Sequence, residues 1–119
     1  MEERIECFIW FAQEMKDGDQ QTQAMIESCI RQVEEFMNVS LKRNFPDHYD
    51  GATLKYDFRR NPGGKLVYVD VTIPHHQMMD ELSAALHDGL NGRLVAVMPE
   101  LLGRTKVWVG PIGKPAGVL

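Results

Sequence analysis

Between Ala52 and Ile73 two runs of alternating residues flank a single turn, and this stretch constrains the fold more than any other part of the chain. Leu54, Tyr56 and Phe58 alternate with Thr53, Lys55, Asp57 and Arg59. Val67, Val69, Val71 and Ile73 alternate with Leu66, Tyr68, Asp70 and Thr72. A period of two is that of a strand with one buried face. Between the runs lies Asn61-Pro62-Gly63-Gly64, where Pro62 presets φ for the first central turn position and Gly63 suits the positive φ of a type II turn. With Asn61 set against Gly64, the expected register places Phe58 opposite Val67, Tyr56 opposite Val69 and Leu54 opposite Val71. It also pairs Lys55 with Asp70 on the polar face.

A chain of 119 residues is long enough for one core without disulfide or metal staples, and residues 1–119 read as a single α+β domain with a Gly/Pro-rich tail at 110–119. Hydrophobic residues make up 44% and charged residues 25%, which argues against disorder. The most apolar run, Cys7 to Ala12, falls far short of the roughly 20 residues that cross a bilayer. The start Met-Glu-Glu-Arg lacks the basic segment of a secretory signal, so a cytoplasmic protein is expected. Cys7 and Cys29 stand among apolar residues without CxxC spacing, as buried reduced thiols do. Up to Ser40, 3 basic residues face 9 acidic ones, whereas the remainder holds 10 basic and 8 acidic. The net charge of −4 and the pI near 5.5 speak against a general nucleic-acid binder but leave room for one local anion site.

Elsewhere the periodicity is helical or ambiguous. Met1 to Lys16 places Ile5, Phe8, Ile9, Phe11, Ala12 and Met15 on one helical arc, with Trp10 misplaced; helix is favoured, with a strand over Cys7 to Phe11 as the alternative. From about Gln20 to Arg43, Ile26, Cys29, Ile30, Val33, Phe36, Met37, Ser40 and Leu41 recur at three- and four-residue spacing, which predicts a long helix. Asn44 to Gly51 reads as a loop. Pro74 is expected in the first turn of a further helix, with Met78, Met79, Leu82, Ala85 and Leu86 as its stripe and Gly89 as its end. Asn91-Gly92 then predicts a turn into a strand over Arg93 to Met98, with a last strand over Thr105 to Val109. The resulting order is two N-terminal helices, hairpin, helix and two short strands, or strand plus helix at the start. The latter contains βαββαβ, the ferredoxin-like pattern. Either order places helices on one face of a mainly antiparallel sheet.

Three clusters carry chemistry. Arg59, Arg60 and Lys65 surround the turn, with Lys55 on the same hairpin; backbone N–H groups at a Gly-Gly bend and Arg guanidinium groups both suit phosphate. His75 and His76 follow Asp70, but adjacent helical His side chains diverge by about 100°, so a metal would need His48 or Asp80 to converge on them. Asp47-His48-Tyr49-Asp50 gathers acid, base and phenol in one loop, a grouping that also serves loop hydrogen bonding. Phe8, Trp10, Tyr68 and Trp108 are aromatics that could stand on an open sheet face, where a homo-oligomer buries such residues. No GxSxG, HExxH or GxGxxG is present.

The expectation from sequence is therefore a non-catalytic binding or regulatory protein, homo-oligomeric and without cofactor. It holds a phosphate- or nucleotide-like small ligand, or an acidic protein partner, near Arg59, Arg60, Lys65 and Lys55. The alternatives are a metal-assisted hydrolase using His48, His75, His76 and Asp70 and, behind it, a nucleic-acid-binding module.

Overall fold

The computed structural model describes residues 4–11, 19–64, 66–74, 76–97 and 105–109. Strand β1 spans Arg4–Phe11, helix α1 Asp19–Asn44, β2 Lys55–Arg60, β3 Leu66–Pro74, helix α2 Met79–Val97 and β4 Thr105–Val109. The sheet order is β2-β3-β1-β4, and every neighbouring pair is antiparallel. Each helix thus links two strands that have a third strand between them, the split βαβ arrangement of a ferredoxin-like fold.

Both helices lie against one face of this sheet. Ile26, Cys29, Ile30, Val33, Met37 and Leu41 of α1 and Leu82, Leu86, Leu90 and Leu94 of α2 form one buried cluster with Ile5, Cys7 and Ile9 of β1 and with Leu66, Val69, Val71 and Ile73 of β3. Phe36 departs from the expected stripe: it is 70% exposed on the outer side of α1.

The first element is a strand, so the favoured helix over Met1 to Lys16 is corrected. Ile5, Cys7 and Ile9 enter the helix-covered core while Phe8 and Trp10 are buried in a second cluster on the other face. Apolar residues on both faces erase the alternation that marks a strand, which leaves a run that imitates a helical arc.

The C-terminal half is corrected in the same way. α2 runs to Val97 and absorbs both the expected stop at Gly89 and the expected strand over Arg93 to Met98 as far as Val97. Leu86, Leu90 and Leu94 recur every four residues and are all buried, so the helical stripe passes straight through Asn91-Gly92. Gly89 is a packing residue: a Cβ built there would lie 3.0 Å from Val33 Cγ1 on α1. Pro74 closes β3 instead of opening α2.

The hairpin is present with a shifted register. Tyr56 faces Val71, Phe58 faces Val69, Asp57 faces Asp70, Lys55 faces Thr72 and Arg59 faces Tyr68. The expected Lys55 to Asp70 pairing is thereby replaced. At the next step Arg60 faces Leu66, so Val67 is the extra residue of a β-bulge. The bulge reverses the alternation: Leu66 turns into the helix-covered core, and Val67 packs against Phe8 and Trp10. In the turn, Gly64 N–H donates to the Asn61 carbonyl at 2.9 Å. The positive φ falls on Gly64 (+81°) and not on Gly63, so the turn is not type II; a glycine in the left-handed region after the turn is the usual companion of a hairpin bulge. Because the shift is by two residues away from the bulge, each side chain of β2 stays on its expected face.

Loop 45–54 is pinned to α1 by side-chain hydrogen bonds. Asn38 Nδ2 donates to the Ala52 carbonyl at 3.1 Å, and Asn38 Oδ1 accepts from Ala52 N–H at 3.0 Å and from the Tyr49 hydroxyl. Glu34 Oε2 accepts from Leu54 N–H at 2.7 Å. These contacts deliver buried Tyr49 and Leu54 to the core and set the start of β2.

Candidate functional site

Among the described residues the hairpin cations do not form one cluster. Arg59 stands on the helix-free face opposite Tyr68 and pairs with Asp57 Oδ2 at 3.1 Å. Arg60, displaced by the bulge, donates from Nη1 to the Gly64 carbonyl at 3.0 Å and from Nη2 to Gln23 Oε1 of α1 at 2.6 Å. That side chain ties the turn to the first turns of α1. Lys55 begins β2 on the same face as Arg59 but about 13 Å away at 3.3 Å per residue. Lys65 lies outside the described residues.

The His and Asp residues are likewise spread. His76 Nδ1 accepts from Met78 N–H at 3.0 Å, which caps the start of α2, and its Nε2 lies 3.6 Å from Asp50 Oδ1. The Tyr49 ring packs 5.4 Å from the His76 ring. His48 contributes its carbonyl, which accepts from Gln77 Nε2 at 2.6 Å. Asp70 belongs to the helix-free sheet face, so it does not join His76; His75 lies outside the described residues. Burial raises the Tyr49 hydroxyl pKa, with the Asp50 and Glu34 charges adding to it. Among the described residues no three His, Cys, Asp or Glu side chains group as a metal site.

The residues that the strands do bring together stand on the helix-free face. Glu6 faces Thr72, Phe8 faces Asp70 and Trp10 faces Tyr68, so these six occupy one side of the β1–β3 pair, joined by Asp57 and Arg59 across β2. Trp10 stacks on Tyr68 with ring centroids 4.3 Å apart and planes inclined by 26°, and Phe8 meets Tyr68 at 5.9 Å in a tilted arrangement. Phe8 is 1% and Trp10 7% exposed. The grouping of Phe8 or Trp10 with Tyr68 was expected from the βαββαβ alternative, and Lys55, Asp57, Arg59 and Asp70 were expected beside Tyr68 on the polar face of the hairpin; Glu6 was not.

That polar part is unusual in its hydrogen bonding. Glu6 Oε1 accepts from Arg4 Nε at 3.0 Å, and the Glu6 side chain is only 9% exposed. Its Oε2, together with Asp70 Oδ1 and Trp10 Nε1, is buried without a hydrogen-bond partner. A buried polar atom without a partner costs about 1–3 kcal/mol, more when charged, so three on one patch mark a place where stability is given up. Burial raises the Asp70 pKa above the ordinary carboxylate range, and Glu6 and Asp57 push it further up against the opposing pull of Arg4 and Arg59. On the other side of the sheet, burial pushes the Cys7 thiol up to about 12, with Asp70 adding to it. Alternation in β1 places Glu6 on the face of Phe8 and Trp10, and that was the one signal in the sequence that could have drawn attention to the acid.

No protein-family model matches this chain, and no curated protein matches it. Among solved structures, Rv0793 from Mycobacterium tuberculosis aligns over 96% of this chain and 99% of its own at 15% identity, with a TM-score of 0.48. The de novo designed protein LFR1 1 with ferredoxin fold aligns over 98% of this chain and 91% of its own at 13% identity, with a TM-score of 0.50. The likeness to the designed protein is one of fold, and it agrees with the strand order and connections described above.

Proposed function

We propose that this chain is a non-catalytic binding protein that holds a small ligand on the helix-free face of its ferredoxin-like sheet, around Glu6, Phe8, Trp10, Tyr68 and Asp70. The observation that carries the reading is the coincidence, on one patch, of stacked aromatic rings with three buried polar atoms that no hydrogen bond satisfies. Pockets for small ligands combine apolar walls with a few convergent polar groups, and unsatisfied buried groups mark a function or a missing partner. This moves the site from the turn at 59–65, the place expected from sequence for a phosphate-like ligand, where Arg60 serves to fasten the hairpin to α1.

The reading is tested by nuclear magnetic resonance of uniformly ¹⁵N-labelled protein against a fragment set of mixed charge. Hits are expected to shift the Trp10 indole N–H and the amides of residues 6, 8, 68 and 70 together. Hits that cluster instead around Arg60, Gly63 and Gly64 would restore the turn as the site.

For the homo-oligomer expected from sequence, α1 offers the apolar surface. The large apolar side chains left exposed among the described residues are Phe36 and Val39, 70% and 54% exposed on α1. Phe36 borders a groove of about 440 Å³ between the helices, where Val33 and Gly89 meet. A second copy would therefore be sought at α1. Sedimentation of wild type against Phe36→Glu reads this directly: an assembly that survives the substitution is not held there.

A further inference from the structure

Resting on the reading that the helix-free face is a ligand site, we infer that its ligand is a small organic cation that presents N–H donors, of the amidinium, guanidinium or ammonium class, to Glu6 and Asp70. Three observations on the face converge on this chemistry. First, the two orphaned oxygens, Glu6 Oε2 and Asp70 Oδ1, belong to neighbouring carboxyl groups: Asp70 stands opposite Phe8 and so diagonal to Glu6. A carboxylate oxygen only accepts, so the missing partners are donors. Second, both described guanidinium groups near the patch already have partners: Arg4 is bonded to Glu6 Oε1 at 3.0 Å and Arg59 to Asp57 Oδ2 at 3.1 Å. Lys55, the remaining described cation of this face, is exposed opposite Thr72, and among the described residues no ion pair reaches Asp70. Third, Trp10 and Tyr68 lie stacked on the same face, and aromatic rings beside a carboxylate pair favour a flat or compact cation. An anionic ligand would find one unpartnered donor, Trp10 Nε1, against two unpartnered acceptors and would bury like charges together.

The raised pKa of Asp70 agrees with this placement, since a cation that returns charge balance to the patch draws the carboxyl back toward ionisation. The Asp70 carboxyl faces Glu6 and Arg4 from β1 and Asp57, Arg59 and, diagonally, Lys55 from β2.

The test uses three near-isosteric probes, benzamidine, benzamide and benzoate, with inorganic phosphate as a fourth, each titrated into the full chain while the Trp10 indole N–H is followed. Trp10→Phe identifies that resonance against the one from Trp108. The expected result is that benzamidine moves it and the other three do not. Glu6→Gln and Asp70→Asn should each weaken benzamidine by about tenfold or more, the range for hydrogen bonds to charged groups. The apo melting temperature of Asp70→Asn, expected to rise, separates loss of binding from loss of fold. Movement by benzoate or phosphate in place of benzamidine would overturn the cation and leave the face as a ligand site. Equal movement by benzamidine and benzamide would show that only the apolar part of the face binds. Silence from all four, with shifts elsewhere, would overturn both the cation and the face.

Discussion

The two faces of one sheet follow opposite rules. Toward the helices, β1 and β3 present Ile5, Cys7, Ile9, Val69, Val71 and Ile73, all buried among leucines and isoleucines of α1 and α2, and the polar groups at the margin of that layer are paired through Asn38 and Glu34. Toward the other side the same strands present Glu6, Phe8, Trp10, Tyr68 and Asp70, where three buried polar atoms have no partner. The first face has the features of a region that holds the fold together, and the second those of a region that gives up stability. A binding site makes that exchange, because an apo site complementary to a ligand is not complementary to itself. Substitutions should therefore change sign from one face to the other.

The largest effect belongs to the covered face. Leu86 is fully buried between α2 and the sheet, and Leu86→Ala should cost about 2–5 kcal/mol, from lost transfer energy and an imperfectly collapsed cavity. Urea denaturation followed by circular dichroism measures it. A loss below about 1 kcal/mol would mean that the helical layer is loosely packed and that the contrast between the faces is overstated.

Next comes the polar clamp at the margin of that face. Asn38→Ala removes the partner of the Ala52 carbonyl, of Ala52 N–H and of the Tyr49 hydroxyl at once. With part of the freed polarity reaching water, a loss of about 2–3 kcal/mol is expected, read by the same denaturation curve. Amide exchange sharpens the comparison: Ala52 and Leu54 N–H should lose protection in Asn38→Ala while β1 keeps its own.

How much of this was legible in the sequence also differs between the faces. Apart from Phe36, the apolar periodicity of α1, and of β2 and β3 away from the bulge, matched the covered face, because residues that meet a single layer must repeat at the period of their element. Three features broke that logic. β1 is apolar on both sides, so its period vanished and a helix was the better match to the pattern. Gly89 and Asn91-Gly92 look like a stop and a turn in sequence, yet Gly89 is required by the approach of Val33, and the buried Leu90 and Leu94 carry the helix onward. The turn and the bulge at Val67 each moved the pairing by one residue, and the sum of two leaves the faces of β2 unchanged while Leu66 and Val67 exchange theirs, so the pattern carries no trace of it away from the bulge. The grouping of Glu6 with Asp70 was hidden for a related reason. Glu6 and Asp70 come from strands separated by more than fifty residues, and only the β1–β3 register brings them together.

Gly89 offers the next measurement. An alanine there gains about 0.5–1 kcal/mol of helix propensity, but its Cβ would stand 3.0 Å from a methyl of Val33, whose branched side chain has little rotamer freedom in a helix. Overpacking of this kind costs about 1–3 kcal/mol. Gly89→Ala should therefore lower stability by about 1–2 kcal/mol. In a Val33→Ala background the same change should become neutral or stabilising. A double-mutant cycle without coupling would mean that the two helices do not meet at this point.

The smallest effect is the most pointed, because its sign is reversed. Asp70→Asn keeps the shape of the side chain and removes a charge that burial and Glu6 both oppose, so at neutral pH it should raise stability by about 1 kcal/mol. The pH dependence gives a second handle. In the unfolded chain Asp70 releases its proton at the ordinary aspartate value of about 3.9, whereas in the fold it holds the proton to higher pH. Its contribution is thus fully present below the unfolded value and is lost as pH rises through the raised folded one. The advantage of Asp70→Asn over wild type should accordingly grow from acid toward neutral pH and then level off. If the advantage were flat with pH, or the substitution destabilised the protein as Asn38→Ala does, the carboxyl would be a satisfied part of the fold. The helix-free face would then follow the same rule as the covered one, and the ligand reading would lose its support.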